Sequence, residues 1–393
     1  MKVGANMKRK ILYCANIDYH FKVFHLPYMK WFQEKGWEVH VAANGHIKLP
    51  YCDKKYDVPI HRCPISLKNI VAFKKLKAII KENNYDIIHV HTPMAGVLVR
   101  IAAKSNRRSG MKVIYTAHGF HFFKGAPLKN WLVYYPLEKW LSRYTDYLIT
   151  INNEDYAEAV KHKFSAGNIE HVHGIGVDCA RFRPISEMDI NRLRNKYGYK
   201  KEQFLLYYAA ELNKNKNQGL LLEVLAKLKE RIPNIRLLLV GNGPLEKYYK
   251  KMASKLCVKD RVDFLGFRED MDSIAQMCDA VAASSIREGL PVNIMEAMAC
   301  GKPVVATNNR GHRELIEHNS TGFIVNNAFE FAERVYELYM SKELRVLLGT
   351  RGIQKISVYS LNNVMNEMEH VYTKAMTRRE IDDASYKSTS RSC

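Results

Sequence analysis

Short runs of apolar, β-branched and aromatic residues alternate along this chain with segments whose apolar positions recur every three or four residues. The first pattern predicts strands over Ile11–Ala15, Glu38–Ala42, Asp86–His91, Lys112–Ala117 and Tyr147–Ile151. The second predicts helices over Phe24–Lys35, Leu67–Lys81, Met94–Lys104 and Glu154–Lys163. The alternation then restarts, with strands over Phe204–Ala209, Arg236–Val240, Val262–Leu265, Ala280–Ala283 and Pro303–Ala306, and helices near Gly219–Arg231, Pro244–Leu256, Met271–Met277 and Pro291–Ala299. Such alternation requires right-handed crossovers between parallel strands, so the chain reads as α/β, two Rossmann-like doubly wound domains in tandem. A Gly-rich turn and a proline over Gly176–Pro184 interrupt the pattern and mark the join. The expected domains are residues 1–180 and 181–377, the second ending in helices over Phe329–Leu347 and Leu361–Thr377, followed by a disordered polar tail over 378–393. Sites in such domains form outside the carboxyl ends of the strands, so the two are expected to face a central cleft.

With 47% apolar and 11% aromatic residues among 393, the chain can fill two cores. Its eight cysteines form no C-x-x-C pair, which argues against a zinc ribbon or a disulfide framework and for a reducing cytoplasm. The longest uncharged stretch of interest, Ile87–Val99, contains His89, His91 and Pro93 and is shorter than the roughly 18–20 residues that span a bilayer. At the start, Met7-Lys-Arg-Lys runs into a strand and does not resemble a signal peptide; Met7 is an alternative to Met1 as the start.

Charge changes the picture more. There are 61 Lys and Arg against 40 Asp and Glu, a net +21, and the larger part of the excess lies in residues 1–180. An anionic partner of the first half is expected: nucleic acid, an acidic membrane surface or a phosphorylated substrate. No helix-turn-helix, zinc finger or RNA-binding aromatic motif is visible, so nucleic acid is not the expected partner. A nicotinamide dinucleotide fits poorly too, because the turn after the first strand, Asn16-Ile-Asp18, lacks the G-x-G-x-x-G fingerprint.

The densest chemistry lies in Ser284–Thr307. Pro291 suits the start of a helix that Gly301 and Pro303 close, which puts Glu288 ahead of that helix and Glu296 inside it. The backbone N–H groups near Leu290–Ile294, at the helix start that Gly289, Leu290 and Pro291 open, would then point from a positive helix end, a cradle for a diphosphate. Taken singly, each glutamate fits equally well as an ordinary acid at a helix start or on a solvated face. Gly241-Asn-Gly243-Pro244 is a strand-to-helix turn that lets backbone approach phosphate, or simply a tight turn. Thr116-Ala-His118-Gly119-Phe-His121 closes a strand, where a histidine serves substrate or packs as a hydrogen-bonded ring. His89 and His91, two apart on a strand, share a face. With His118 and His121 they lack carboxylate or cysteine partners at ligand spacing, and no metal is expected.

Glu288 and Glu296, framed by Gly-Leu-Pro and Gly-Lys-Pro, resemble the E-x7-E motif of retaining family-4 glycosyltransferases, which have the GT-B architecture. The resemblance runs from Ile11 to about Thr377. It implies that Glu288 contacts the transferred sugar, Glu296 the ribose, and His118 the reacting face. Lys216, in Ala209–Asn217, matches the family's diphosphate-binding lysine; Glu211 stands where the family has arginine, so either Lys214 substitutes as the second cation or that contact is missing. Gly241 and Gly243 are implied to lie near the donor, and Phe267 and Arg268 near a uracil-type base. Asn16–Lys22 departs from the family's Gly-Gly loop, and His20, Lys22, His25 and His91 are the acceptor-side candidates.

Asp18–Lys22, Phe24–Tyr28 and Thr116–Phe123 further resemble bacterial exopolysaccharide and capsule transferases. This implies metal-independent, retaining transfer of a hexose or N-acetylhexosamine from a UDP-sugar to a polyprenyl-diphosphate-linked oligosaccharide, with no cofactor besides the donor. A UDP-sugar hydrolase or epimerase of the same architecture is the alternative, and the oligomeric state is left open. Two basic stretches suit an anionic membrane: Leu67–Lys81, and Phe120–Tyr147 with its aromatics. Packing of the same apolar faces on their own sheet fits equally well. The expected location is cytoplasmic and peripheral, on the inner face of the cell membrane.

Overall fold

The computed structural model describes residues 8–389; the choice between Met1 and Met7 and the last residues of the expected tail lie outside them. The chain divides into two units, one running to Ile175 and resuming at Val364, the other Gly176–Asn363.

All strands of the first unit are parallel: β1 Lys10–Ile17, β2 Glu38–Asn44, β3 Lys54–Asp57, β4 Ile87–His91, β5 Lys112–Ala117, β6 Tyr147–Thr150 and β7 Asn168–His171, in the order β3-β2-β1-β4-β5-β6-β7. The second sheet is also parallel, ordered β10-β9-β8-β11-β12-β13, from β8 Phe204–Ala209, β9 Ile235–Val240, β10 Val262–Gly266, β11 Ala280–Ala283, β12 Val304–Thr307 and β13 Gly322–Val325. Each predicted strand is present. The three that the pattern missed, β3, β7 and β13, lie at sheet edges, where one exposed side relaxes the demand for a continuous apolar run. Within the central strands, alternate residues serve opposite layers: Leu12, Cys14, Ile88 and Val90 one core, Ile11, Tyr13, Ile87 and Ile114 the other.

The expected helix over Phe329–Leu347 is two, Ala328–Met340 and Lys342–Ile356, because Ser341 caps the second by accepting from the Leu344 N–H at 3.0 Å. A helix at Glu187–Tyr197, capped the same way by Ser186, was not predicted.

The end of the chain corrects two expectations. The last helix, Leu361–Thr389, continues through most of the stretch expected to be a disordered tail. From Val364 onward it belongs to the first unit and not to the second. Val364, Met368, Val371, Tyr372 and Ala375 form a helical stripe buried with Ile11, Tyr13 and Phe32. The Tyr372 hydroxyl lies 2.7 Å from His89 Nδ1 and 3.2 Å from the Tyr13 hydroxyl, and Glu367 accepts the His173 N–H at 2.9 Å. Among the described residues, no helix is long and apolar enough to cross a membrane.

Candidate functional site

In the second unit the loops leaving β8 and β11 meet. Lys216 Nζ donates to Glu288 Oε1 at 2.5 Å, and Ser285 Oγ donates to the same oxygen at 2.5 Å. Ser285 is held in turn: its Oγ lies 2.5 Å from the buried Tyr208 hydroxyl, and its carbonyl accepts from Thr307 Oγ1 (2.6 Å) and Asn309 Nδ2 (2.8 Å). The Ser284 hydroxyl donates to the Lys216 carbonyl at 2.8 Å, tying the two loops by backbone as well. On the far side Arg310 Nε donates to the Glu288 carbonyl at 3.2 Å. A Cβ on Gly311 would come within 2.7 Å of the Glu288 Cβ, so only glycine admits this approach. Ser285, Tyr208, Asn309 and Arg310 were missed from sequence.

The helix after Glu288 spans Val292–Ala299, with Pro291 at its N-cap and no side-chain bond from that cap; the Ile294 N–H donates to Asn293 Oδ1 at 3.0 Å, which leaves the Val292 and Asn293 N–H groups for water or a ligand. Gly301, with φ +70°, ends it as expected. Glu296 meets different neighbours from Glu288. Burial pushes its carboxyl up to about 7; Arg181 opposes that shift and Asp272 adds to it. Arg181 itself pairs with Asp272 at 2.8 Å. The two glutamates therefore sit in separate surroundings, one ion-paired and one desolvated.

Gly241 and Gly243 have a packing reason to be glycine. A Cβ on Gly241 would lie 2.3 Å from the Ala210 carbonyl oxygen, and one on Gly243 2.4 Å from that of Leu212. The turn after β9 is thereby clamped to the loop that carries Glu211 and Lys216. Phe267 is exposed beyond β10, whereas Arg268 is engaged by Asp270 through two hydrogen bonds of 2.8 and 2.5 Å. Lys214 is exposed and lines a hollow of about 590 Å³ with Tyr248, Tyr249 and Met252. The structure does not bring it to the Lys216–Glu288 pair through any recorded contact.

In the first unit His118 follows β5 and His91 ends β4, at the carboxyl edge where such sheets carry their sites. His91 Nδ1 lies 3.2 Å from His118 Nε2, and His20 Nε2 lies 3.0 Å from His25 Nε2. The short helix Tyr19–Phe24 delivers His20 to the group; Lys22 on that helix is exposed and stands outside it. Thr92, next to His91, holds φ +67°, a conformation rare for a β-branched residue, and Asn16 secures it by accepting from Thr92 Oγ1 at 2.6 Å. His89 is structural, with Nδ1 on Tyr372 and Nε2 2.8 Å from Thr116 Oγ1. His121 stacks on Tyr134 at 4.6 Å. The histidines that converge are therefore His20, His25, His91 and His118, not the set His89, His91, His118 and His121 that strand spacing suggested.

Residues 189–355 match the family model "Glycosyl transferases group 1", and residues 10–152 match "Glycosyl transferase 4-like". EpsD of Bacillus subtilis (strain 168), which carries a glycosyltransferase name, is 50% identical over 372 residues, 94% of this chain and 98% of EpsD. The chain belongs to the group 1 glycosyl transferases. This glycosyltransferase is also 29% identical over 322 residues to the UDP-Gal:alpha-D-GlcNAc-diphosphoundecaprenol alpha-1,3-galactosyltransferase of Escherichia coli, covering 79% of this chain and 82% of that one. Its fold is GT-B. Anabaena Alr3699/HepE, crystallised with UDP and glucose, matches it with a TM-score of 0.77 at 21% identity, over 93% of this chain and all of HepE.

Proposed function

We propose that this glycosyltransferase moves a hexose or N-acetylhexosamine from a UDP-sugar to a polyprenyl-diphosphate-linked oligosaccharide, with retention, in exopolysaccharide or capsule synthesis. The Lys216–Glu288 pair beside the uncapped helix start at Pro291 carries the reading. A cation and free N–H groups suit a departing diphosphate, and a carboxylate fixed next to them suits sugar hydroxyls. The UDP and glucose bound by HepE, and the UDP-Gal and diphosphoundecaprenol in the name of the E. coli relative, support the donor and acceptor classes.

In this reading the C1–oxygen bond to the β-phosphate breaks while Lys216 and the helix N–H groups take up the charge, with no metal on the diphosphate. The acceptor hydroxyl attacks the same face and gives its proton to the departing phosphate oxygen. Glu288 orients the sugar, Glu296 holds the ribose, and His118 lines the reacting face. Gly241 and Gly243 hold the donor loop, and Phe267 offers a ring to the base. Arg268 and Lys214 border the donor, and His20, Lys22, His25 and His91 serve the acceptor.

An anionic membrane surface fits the first unit. Leu128, Leu132, Val133 and Trp140 are exposed along the helix Leu128–Ser142, near the basic Lys124, Lys129 and Arg143. Ile65, Leu67, Ile70 and Val71 are exposed at the start of the lysine-rich helix Lys68–Asn83. The rest of both faces packs inward: Leu76, Ile79 and Ile80 are buried, as is Phe122, with Trp131 and Tyr135 against it.

The deciding assay is UDP release from UDP-glucose, UDP-galactose and their N-acetyl forms, with and without a polyprenyl-diphosphate sugar. Release that requires the lipid-linked acceptor, and an α-linked product by NMR, are expected. Equal release without acceptor would establish a hydrolase instead.

A further inference from the structure

We propose that His20, His25, His91 and His118 bind one divalent transition-metal ion of the zinc, cobalt, nickel or copper class, one ring nitrogen from each. These nitrogens all lie within 4.8 Å of one another, and the group contains no carboxylate or thiol. In a tetrahedral site with metal–nitrogen bonds of about 2.0–2.1 Å, ligand nitrogens stand about 3.3 Å apart. The His20–His25 and His91–His118 pairs, at 3.0 and 3.2 Å, already have nearly that spacing. The two pairs have only to close on each other. His20, on a six-residue helix, and His118, before Gly119 at φ +129°, are the partly exposed members best able to move.

Hydrogen bonding alone leaves this cluster incomplete. A neutral imidazole offers one N–H and one lone pair, and each His–His contact uses one of each. His91 Nε2 is buried with no partner, and so is the Tyr28 hydroxyl. Both residues line a hollow of about 10 Å³ with His25, His118, His89 and Thr116, room for a single small occupant such as a water held beside the ion.

Imidazole sets of this kind favour zinc and its neighbours over magnesium or calcium, which take oxygen ligands. The proposal departs from the expectation, drawn from the spacing of His89, His91, His118 and His121, that these histidines hold no metal; it leaves the donor diphosphate in the second unit without one.

The proposal does not depend on the acceptor reading, because bound metal is measured directly. The full chain, freed of any histidine tag and stripped by a chelator, is titrated with Co²⁺ and Zn²⁺. About one equivalent per chain and a visible Co²⁺ spectrum of tetrahedral or five-coordinate type are expected. His20→Asn and His118→Asn should each weaken the metal at least about tenfold, while His46→Asn, at an exposed position outside the cluster, should not. No tight equivalent in the wild-type chain, an octahedral Co²⁺ spectrum, or binding indifferent to both cluster variants would overturn the site. UDP-glucose binding, followed in the same samples, reports separately on the proposed donor site.

Discussion

Lys216 Nζ and Ser285 Oγ converge on a single oxygen, Oε1 of Glu288, each at 2.5 Å. The two residues that hold it come from the ends of two strands, Lys216 after β8 and Ser285 after β11, and Thr307 at the end of β12 in turn donates to the Ser285 carbonyl. A carboxylate fixed by a cation on one loop and a hydroxyl on another cannot turn away without breaking both bonds. It is therefore a preorganised group, which is what transition-state recognition requires.

Glu288→Gln keeps the shape of the side chain and its bond from Ser285, but removes the charge that pairs with Lys216. The expected result is a fall in turnover of at least about 100-fold with a small change in melting temperature. UDP release and a thermal melt measure the two; a variant with near-normal turnover contradicts the assigned role.

Glu296 supplies a pH dependence. Its carboxyl is raised to about 7 in the folded chain, against an ordinary value of 4.5. Between these values the native state keeps a proton that the unfolded chain has released, so this group's stabilising contribution is full below about 4.5 and is lost as pH rises to about 7. Melting temperatures of the wild type, compared with Glu296→Gln, should show the wild type losing ground over that window. If ribose hydroxyls donate to the ionised carboxylate, UDP-glucose should also bind more tightly at pH 8 than at pH 6 in the wild type, with a flatter profile in the variant. Parallel profiles would show that Glu296 does not titrate there.

The first unit is pinned by a buried ion pair. Arg100 Nη2 donates to Glu138 Oε2 at 2.9 Å, its Nε donates to the Gly96 carbonyl, and its guanidinium lies over the Tyr115 ring at 4.0 Å. Removing one partner leaves the other charge stranded, so Glu138→Ala should cost about 3–5 kcal/mol. The double variant Arg100→Met, Glu138→Leu should recover much of that loss, because an apolar pair carries no desolvation penalty. Thermal or urea unfolding of the single and double variants measures this.

If the first unit meets an anionic leaflet, the exposed residues of the helix Leu128–Ser142 provide the apolar anchor. Leu128→Ser combined with Leu132→Ser and Val133→Ser touches no buried position. Co-sedimentation with phosphatidylglycerol vesicles should be strong for the wild type at low salt, weaker at high salt, and largely lost in the triple variant, with melting temperature preserved. Equal sedimentation of wild type and variant would exclude this face.

The chain's pattern of apolar residues determined the two parallel sheets, ten of their strands (the nine central ones and the edge strand β10) and the helix between Pro291 and Gly301, because strand and helix periods are local and a buried parallel strand must be apolar on both faces. The spacing of Glu288 and Glu296 on that helix's flank and axis was likewise legible. Tertiary structure decided what no local rule carries: which unit the last helix joins, that Ser285 and Lys216 share one oxygen of Glu288, and that His20 and His25 bring ring nitrogens to His91 and His118 while those of His89 go to Tyr372 and Thr116. These depend on residues up to hundreds of positions apart being brought within about 3 Å, such as Tyr372 on His89. A helical stripe announces that it will be buried; the surface that buries it is chosen only when the whole chain has folded.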